Sequence, residues 1–421
     1  MTLHVQTDRT LVRTAGRSVR YVLLSFAAPE ARHASVRDPI NVTFVIDRSG
    51  SMGGSKIRLA REAVVQALRM LKATDRFSVI AYDHEVDVLV PSTLAGSEAL
   101  RNAVSQVEGL QARGNTDLGA GWLQGCEQLA TWHQPGQTAR CLLLSDGLAN
   151  HGITSRAELA RHAAELRERG ITTSTMGLGA DFDEHMLEGL STAGAGHFYY
   201  IDAPVQIADC LTGELGEALE VVAHDATVSI LASDGLKVTT LNRFHVQEDG
   251  AGRFSVRVGD LVSRQELSLV VRLEFPAGAD GRTARAVFGV SDARGALDER
   301  DTDILWTFAD PPANDTQPRN LVVDRAVAAL YAAQAQAEAL VLNRAGNFTA
   351  AKARLEATRR RIGQYAGDDA ALRKIVERLE ERDAVYAMPM SAVRSKSEHF
   401  QSLNIARMRK ADGSARRRST P

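Results

Sequence analysis

Side chains that carry oxygen recur at alternate positions directly after an apolar run of the sequence, Val42–Ile46. Two further segments carry donors of the same kind, one of them after the apolar run Cys141–Leu144. The candidate ligands are Asp47, Ser49, Ser51, Thr116 and Asp146. Carboxylates and hydroxyls, with no histidine or thiolate among them, suit Mg²⁺ or Mn²⁺ better than zinc or copper. The five residues therefore form a candidate site for a hard divalent cation.

The elements around these residues must bring them together. From about residue 42 to 222, short apolar strands alternate with stretches of helical periodicity. This alternation predicts an α/β fold with a doubly wound, mostly parallel sheet and helices on both faces. In such sheets ligands bind outside the carboxyl ends of the strands, where the strand order reverses. Asp47 and Asp146 both follow predicted strands, so we expect them to meet at that edge.

The five candidate ligands match, in order and context, the metal-ion-dependent adhesion site of von Willebrand factor type A (VWA) domains, a pattern that integrin inserted domains share. The phrases Ser145-Asp-Gly-Leu-Ala-Asn150 and Gly194-Ala-Gly-His-Phe-Tyr-Tyr200 are similar to those of intracellular bacterial and plant members. The resemblance covers about residues 40–220, and beyond them it concerns architecture alone. The sequence thus resembles intracellular bacterial VWA proteins with a complete adhesion site.

The resemblance implies roles for the five residues. Ser49, Ser51 and Thr116 would touch the metal directly in the ligand-bound state. Asp47 and Asp146 would act largely through water, and an acidic side chain of a partner would complete the shell. The expected function is a Mg²⁺-dependent protein–protein interaction module that acts as an intracellular scaffold or adaptor. We expect no enzymatic activity and no small-molecule substrate.

Other functions use the same sequence features. A metal-dependent hydrolase would employ the cation as a Lewis acid and needs a positioned base, for which His84 and His151 are candidates. A loop histidine is more often simply solvated. The sequence lacks a Gly-x4-Gly-Lys phosphate loop and a Gly-x-Ser-x-Gly elbow, so it favours no catalytic residues. A surface adhesin, or nucleic-acid binding through the C-terminal tail, are the remaining alternatives.

Four other residues near the predicted strands and helices have simpler interpretations. Asp181 and Asp183 precede a helical stretch, and we expect them to cap it. Trp122 and Trp132 lie on a predicted helix, and we expect both to pack it against the sheet.

The regions that flank the predicted α/β domain have different periodicities. Alternating apolar residues, clearest over Glu266–Phe275, predict an antiparallel β-sandwich, and the strand candidates near the N-terminus complete it. The α/β domain is therefore expected to be an insertion in the sandwich. A C-terminal helical hairpin region follows. The predicted boundaries are 1–39 for the N-terminal sandwich strands, 40–222 for the VWA domain, 223–310 for the rest of the sandwich, 319–386 for the helical region and 387–421 for a basic, flexible tail.

Composition indicates the compartment of the protein and the classes of partner that its charge favours. The 421 residues are 44% hydrophobic and carry a formal net charge of −2, so no global field favours nucleic acid or an anionic membrane. The N-terminus lacks the apolar core of a signal peptide, and no apolar run is long enough to span a membrane. The cysteines Cys126, Cys141 and Cys210 form no disulfide framework, which favours a reducing compartment. These features predict a cytoplasmic protein.

The C-terminal tail differs from the rest of the chain in charge. Between residues 387 and 421, eight basic residues oppose two acidic ones, so the local charge is +6. Such a segment binds acidic surfaces in some proteins through counterion release. The simpler interpretation is a solvated end, and the single aromatic residue there, Phe400, gives little support to stacking on bases.

Overall fold

A computed structural model describes residues 3–31, 38–134, 136–297 and 301–418. Parts of the predicted segments 1–39, 223–310 and 387–421, and residue 135 of the segment 40–222, therefore lie outside the described residues. The strands, numbered in chain order, are β1 His4–Thr7, β2 Leu11–Arg13, β3 Ser18–Ala27, β4 Asn41–Asp47, β5 Arg76–Tyr82, β6 Val86–Leu94, β7 Ala139–Ser145, β8 Ile171–Leu178, β9 Ala195–Ile201, β10 Val221–Ala232, β11 Lys237–Thr240, β12 Val246–Gly250, β13 Arg253–Val262, β14 Glu266–Phe275, β15 Thr283–Ser291 and β16 Thr302–Ala309.

The helices alternate with strands in the first half of the chain and follow one another near its end. In chain order they are α1 Ser55–Leu68, α2 Ser97–Glu108, α3 Leu118–Ala130, α4 Arg156–Glu168, α5 Glu184–Ala193, α6 Ile207–Ala218, α7 Pro311–Thr316, α8 Leu321–Arg344, α9 Phe348–Ala366, α10 Ala370–Tyr386 and α11 Ala392–Ala406. In the part of the chain that the structure describes, no helix is both long and apolar enough to cross a membrane.

The chain divides into two compact units. One consists of residues 31–221 and 412–414, and the other of residues 1–30, 222–411 and 415–421. The chain thus begins in one unit, builds the other and returns to the first.

The inserted unit contains a sheet with the strand order β6-β5-β4-β7-β8-β9. Its strands run parallel except the edge strand β6, which is antiparallel to β5. Every residue of β4 and β7 is buried, as expected of central strands that helices cover on both faces. The doubly wound, mostly parallel sheet predicted from the sequence is confirmed.

The second unit contains a β-sandwich. Its sheets have the strand orders β1-β3-β14-β11 and β12-β13-β10-β15-β16-β2. The N-terminal strands join different sheets, because β3 pairs with β14 along its whole length while β2 pairs with β16. One apolar core contains residues of both sheets, among them Leu24, Leu269, Phe288 and Trp306. The N-terminal strands β3 and β2 thus each pair with a strand from later in the chain, one in each sheet.

Helix α8 packs on the sheet that contains β14. Its burial alternates as the sequence predicts, except that Val270 on the polar face is also fully buried. Val270 packs in a second apolar cluster with Leu23 of β3 and with Val323 and Val327 of α8. The outer face of this sheet is therefore covered by α8, which explains the apolar residue that interrupts its polar pattern.

The structure corrects the expectation of a flexible tail. Residues 392–406 form α11, which packs against α8 and contacts the helical region through polar side chains. Arg344 Nε donates a 2.6 Å hydrogen bond to Ser395 Oγ, and the Tyr386 hydroxyl donates one of 3.2 Å to Glu398. Because the buried face of α11 includes polar residues, hydrophobic periodicity does not reveal it. Residues 415–418 continue onto the sandwich, where Gln265 and Arg417 form an isolated bridge.

Candidate functional site

The carboxyl ends of β4 and β7 lie side by side at the centre of the α/β sheet. From β4 the chain proceeds to β5 and β6 on one side, and then returns to β7 on the other side. The order of strands thus reverses between β4 and β7. Asp47 is the last residue of β4, and Asp146 directly follows the last residue of β7. This is the edge where a doubly wound sheet binds its ligands.

Asp47 is a fully buried carboxylate held by neutral donors. Its Oδ1 accepts a 2.8 Å hydrogen bond from the Ser49 backbone N–H, and its Oδ2 accepts one of 2.7 Å from the Ser145 hydroxyl. Burial raises the pKa of Asp47, the hydrogen bonds from Ser49 and Ser145 lower it, and the charge of Asp146 raises it further. The net effect raises the pKa of Asp47. The two hydrogen bonds fix the orientation of this carboxylate, but neither donor carries a positive charge that would neutralise it.

A chain of hydrogen bonds joins the next three candidate ligands. The hydroxyls of Ser49 and Ser51 lie 3.1 Å apart, and the Ser51 hydroxyl donates a 2.7 Å hydrogen bond to Asp146 Oδ1. Asp146 is fully buried, whereas Ser51 is exposed. The oxygens thus extend from the buried end of the sheet to the solvent, and the site is open at Ser51.

Thr116 reaches the same place from the loop between α2 and α3. Its backbone N–H donates a 3.1 Å hydrogen bond to the Asn150 side chain, and Asn150 N–H donates one of 3.2 Å to the Thr116 carbonyl. A Cβ atom added at Gly147 would lie 3.3 Å from Thr116 Oγ1 and 3.6 Å from Ser51 Oγ. The two hydroxyls therefore face the same small space beside Gly147, and the five predicted ligands are gathered at one edge.

A network of charged residues holds the loop between the ligands. Arg48 Nε donates a 2.9 Å hydrogen bond to the buried Asp83, and Arg113 Nε donates one of 2.7 Å to the same oxygen. Burial alone would raise the pKa of Asp83. The hydrogen bonds from Glu85 N–H and Arg113, together with the charges of the two arginines, outweigh burial and lower it. Arg48 also forms an ion pair with Asp87 at 2.5 Å. Its guanidinium therefore points to these acids.

Lys56 also belongs to the site, although no motif in the sequence points to it. This residue lies in the first turn of α1, and its Nζ donates a 2.5 Å hydrogen bond to Asp146 Oδ2. Its side chain is one-quarter exposed, with a relative accessibility of 25%. Its position in the helix that follows the serine loop is the one signal that could have indicated it.

The two candidate histidines and the predicted helix cap each contact a neighbouring group. The Nδ1 atoms of His84 and His151 each lie 3.0 Å from a carboxylate oxygen of a neighbouring acid, Asp83 and Asp117 respectively. Asp183 caps α5 by accepting a hydrogen bond from Met186 N–H, as predicted for it.

Of the two tryptophans, one confirms its prediction and the other does not. Trp122 is fully buried and donates a 3.1 Å hydrogen bond to Thr173. The prediction that Trp132 packs against the sheet is wrong, because it follows the end of α3, is 54% exposed and stacks under the Arg76 guanidinium.

Comparison with known proteins identifies the domain to which these residues belong. Residues 41–211 match the family model of the von Willebrand factor type A domain. An uncharacterized protein of Synechocystis, sll0103, is 28% identical over 283 residues, which are 63% of this chain and 64% of the relative. Human inter-alpha-trypsin inhibitor heavy chain H4 is 28% identical over 240 residues, 53% of this chain and 25% of that protein. The chain thus spans less than two-thirds of these curated relatives.

Solved structures share the fold over nearly all of the chain. The von Willebrand factor type A protein from Catenulispora acidiphila aligns with a TM-score of 0.68 at 20% identity, covering 92% of this chain and 97% of that one. The ArnB paralog VWA2 from Sulfolobus acidocaldarius aligns with a TM-score of 0.61 at 18% identity, covering 94% and 97%. The chain therefore contains a VWA domain within this larger α/β and β-sandwich fold.

Proposed function

We propose that the VWA domain of this chain binds a protein partner through a divalent cation, most favourably Mg²⁺. The proposed ligands are Asp47, Ser49, Ser51, Thr116 and Asp146. The observation that carries the proposal is the hydrogen-bonded series Ser49–Ser51–Asp146, which leads from a buried carboxylate to an exposed hydroxyl.

The donors fit a hard divalent cation. They are carboxylates and hydroxyls alone, and the space that the missing Cβ of Gly147 leaves is bordered by two of the hydroxyls. Ser49, Ser51 and Thr116 would hold the cation directly, while Asp47 and Asp146 would orient the waters around it. Mn²⁺ suits the same donor set. When bound, the cation supplies a Lewis-acidic position that an anionic group of a partner can occupy.

The partner is proposed to be a protein with an acidic side chain. Mg²⁺ retains exchangeable water, so a carboxylate can enter its shell at an open site. Leu148, two residues after Asp146, is 56% exposed and offers the partner an apolar contact beside the cation. Neither nucleic acid nor a small-molecule substrate is part of the proposal.

We further propose an intracellular, cytoplasmic scaffold or adaptor. Cys126 and Cys141 are buried free thiols, a state that a reducing compartment preserves. The alternative of a metal-dependent hydrolase rests on one observation, the 3.0 Å contact between His151 Nδ1 and Asp117 Oδ2 beside Thr116. A histidine oriented by a carboxylate is the arrangement of a general base. His151 is 61% exposed in its side chain, which favours solvation over a base held in place.

Partner capture with and without chelator tests the proposal. The immobilised full chain should retain a specific partner in Mg²⁺ and release it in EDTA. Asp47→Ala should abolish both Mg²⁺ binding by calorimetry and partner capture. Asp181→Ala, which removes an exposed carboxylate of the same domain, should behave as wild type. Normal Mg²⁺ binding and capture by Asp47→Ala would refute the proposal, and a hydrolytic activity lost in His151→Ala would favour the alternative.

A further inference from the structure

Two fully buried carboxylates share the edge of the sheet, and they are neutralised unequally. Asp47 accepts hydrogen bonds from the Ser49 N–H and the Ser145 hydroxyl, and both of these donors are uncharged. Asp146 accepts from the Ser51 hydroxyl through Oδ1 and from the Lys56 ammonium through Oδ2. A buried carboxylate without a counter-ion is costly, and a cation at hydrogen-bond distance offsets that cost.

The nearest arginine in the sequence does not serve this purpose. Arg48, between two proposed ligands, directs its guanidinium to Asp83 and Asp87. Among the described residues, Lys56 is therefore the cationic side chain that contacts a proposed metal ligand, Asp146. Its ammonium is a compact point charge on a flexible stem, which can withdraw toward solvent more readily than a two-pronged guanidinium.

We propose that Lys56 competes with the divalent cation for the charge of Asp146 and thereby sets the metal affinity of the site. The inference rests on the proposed function. Two cations beside one carboxylate repel each other, so each weakens the other's hold on it. Lys56 also stabilises the fold whenever the metal is removed, because it keeps Asp146 paired. It is a positioning residue that acts on the metal through Asp146.

The test uses full-length Lys56→Met, which keeps the length of the stem and removes its charge. Lys72→Met is the matched control, since Lys72 is exposed in the same domain. Mg²⁺ affinity is measured by calorimetry, and thermal unfolding is measured in EDTA and in Mg²⁺. We expect Lys56→Met to bind Mg²⁺ about tenfold or more tightly. In EDTA it should unfold about 4 °C or more below wild type. Lys72→Met should change neither quantity.

A double variant keeps the test informative if Lys56→Met unfolds in EDTA. Replacing Asp146 by asparagine in the Lys56→Met background removes the unpaired charge, so unfolding in EDTA should return toward the wild-type temperature. Failure of this recovery would overturn the pairing role of Lys56. Equal Mg²⁺ affinities for wild type, Lys56→Met and Lys72→Met would overturn the competition while leaving the metal site in place. No Mg²⁺ binding by any of the three would overturn the proposed function together with this inference.

Discussion

Gly147 offers a sharp test of where the cation is held. An alanine Cβ there would lie 3.3 Å from Thr116 Oγ1 and 3.6 Å from Ser51 Oγ. The first distance is slightly shorter than an ordinary contact, so the threonine must move by a few tenths of an ångström. The backbone of Gly147 is not among the positive-φ glycines, so alanine meets no backbone strain. The substitution therefore fills the space between two proposed ligands without disturbing the fold around it.

The expected magnitudes separate binding from stability. Moving Thr116 off its preferred rotamer costs about 0.5–1.5 kcal/mol. Replacing glycine by alanine in a permitted conformation restores about 0.4–1 kcal/mol by restricting the unfolded chain. The free energy of unfolding in EDTA should thus change by less than about 1 kcal/mol. Mg²⁺ demands near-ideal octahedral geometry, and changes beside metal ligands typically weaken binding about 10–100-fold. Gly147→Ala should show a loss of that size.

Calorimetric titration with Mg²⁺ and chemical unfolding in EDTA measure the two quantities. Gly189→Ala is the control, because it adds a methyl to a helix of the same domain where nothing lies within 4 Å. That variant should bind Mg²⁺ as wild type does and gain up to about 1 kcal/mol of stability. If Gly147→Ala folds normally and binds Mg²⁺ with unchanged affinity, the cation is not held between Thr116 and Ser51.

Three further predictions concern the supports of the site and the fold. Asp83→Asn should destabilise the protein by about 2–3 kcal/mol near neutral pH, because it leaves the buried Arg48 short of its partner. Folding lowers the pKa of Asp83, so the stability that its carboxylate contributes is complete above about pH 4 and is lost as the pH falls through the folded pKa. The free energies of unfolding of wild type and variant, measured in urea, should therefore converge in acid. Deleting residues 407–421 should lower the unfolding temperature at low and high salt alike, because the backbones of Arg416 and Arg418 form hydrogen bonds with the sandwich. A deletion that only weakens partner binding, and only at low salt, would instead indicate that the tail acts through its charge. A chain of residues 40–222 should fold alone, whereas residues 223–310 should not, because β3 lies between β1 and β14; cooperative melting of 223–310 would contradict this.

Much of the fold could be predicted because its strongest signals are local. The apolar run of β4 indicates a strand that is buried on both faces, whereas the alternation in β14 indicates a strand with one face in the core. The helix α11 was missed for the opposite reason. It buries Ser395, Glu398 and Ser402, which hydrophobic periodicity counts as surface. Hydrogen bonds from residues of other helices satisfy two of these side chains, and the periodicity of α11 itself does not show them.

The same division applies to the site. The ligand candidates could be selected because donors at alternate positions after a buried strand are visible within a few residues. Two of their hydrogen bonds, however, join residues that are distant in sequence: Lys56 donates to Asp146, and Ser145 donates to Asp47. Such pairs depend on which strands become neighbours, and that order is a property of the completed sheet. Hence the candidate ligands could be selected from the sequence, whereas the charges around them could not.

Backbone hydrogen bonds join the two loops that carry candidate ligands. Arg113 N–H donates a 2.7 Å hydrogen bond to the Arg48 carbonyl, and Gly50 N–H donates one of 3.0 Å to the Gly114 carbonyl. These bonds join the loop that carries Ser49 and Ser51 to the loop that carries Thr116, so the candidate ligands of the two loops stay in fixed positions relative to each other. Gly114 has a φ of +69°, and a Cβ there would lie 2.3 Å from the His84 ring, so a glycine is required. Hydrogen bonds that hold these loops in place reduce the binding energy that a cation must spend on ordering them, which leaves more of that energy for holding a partner.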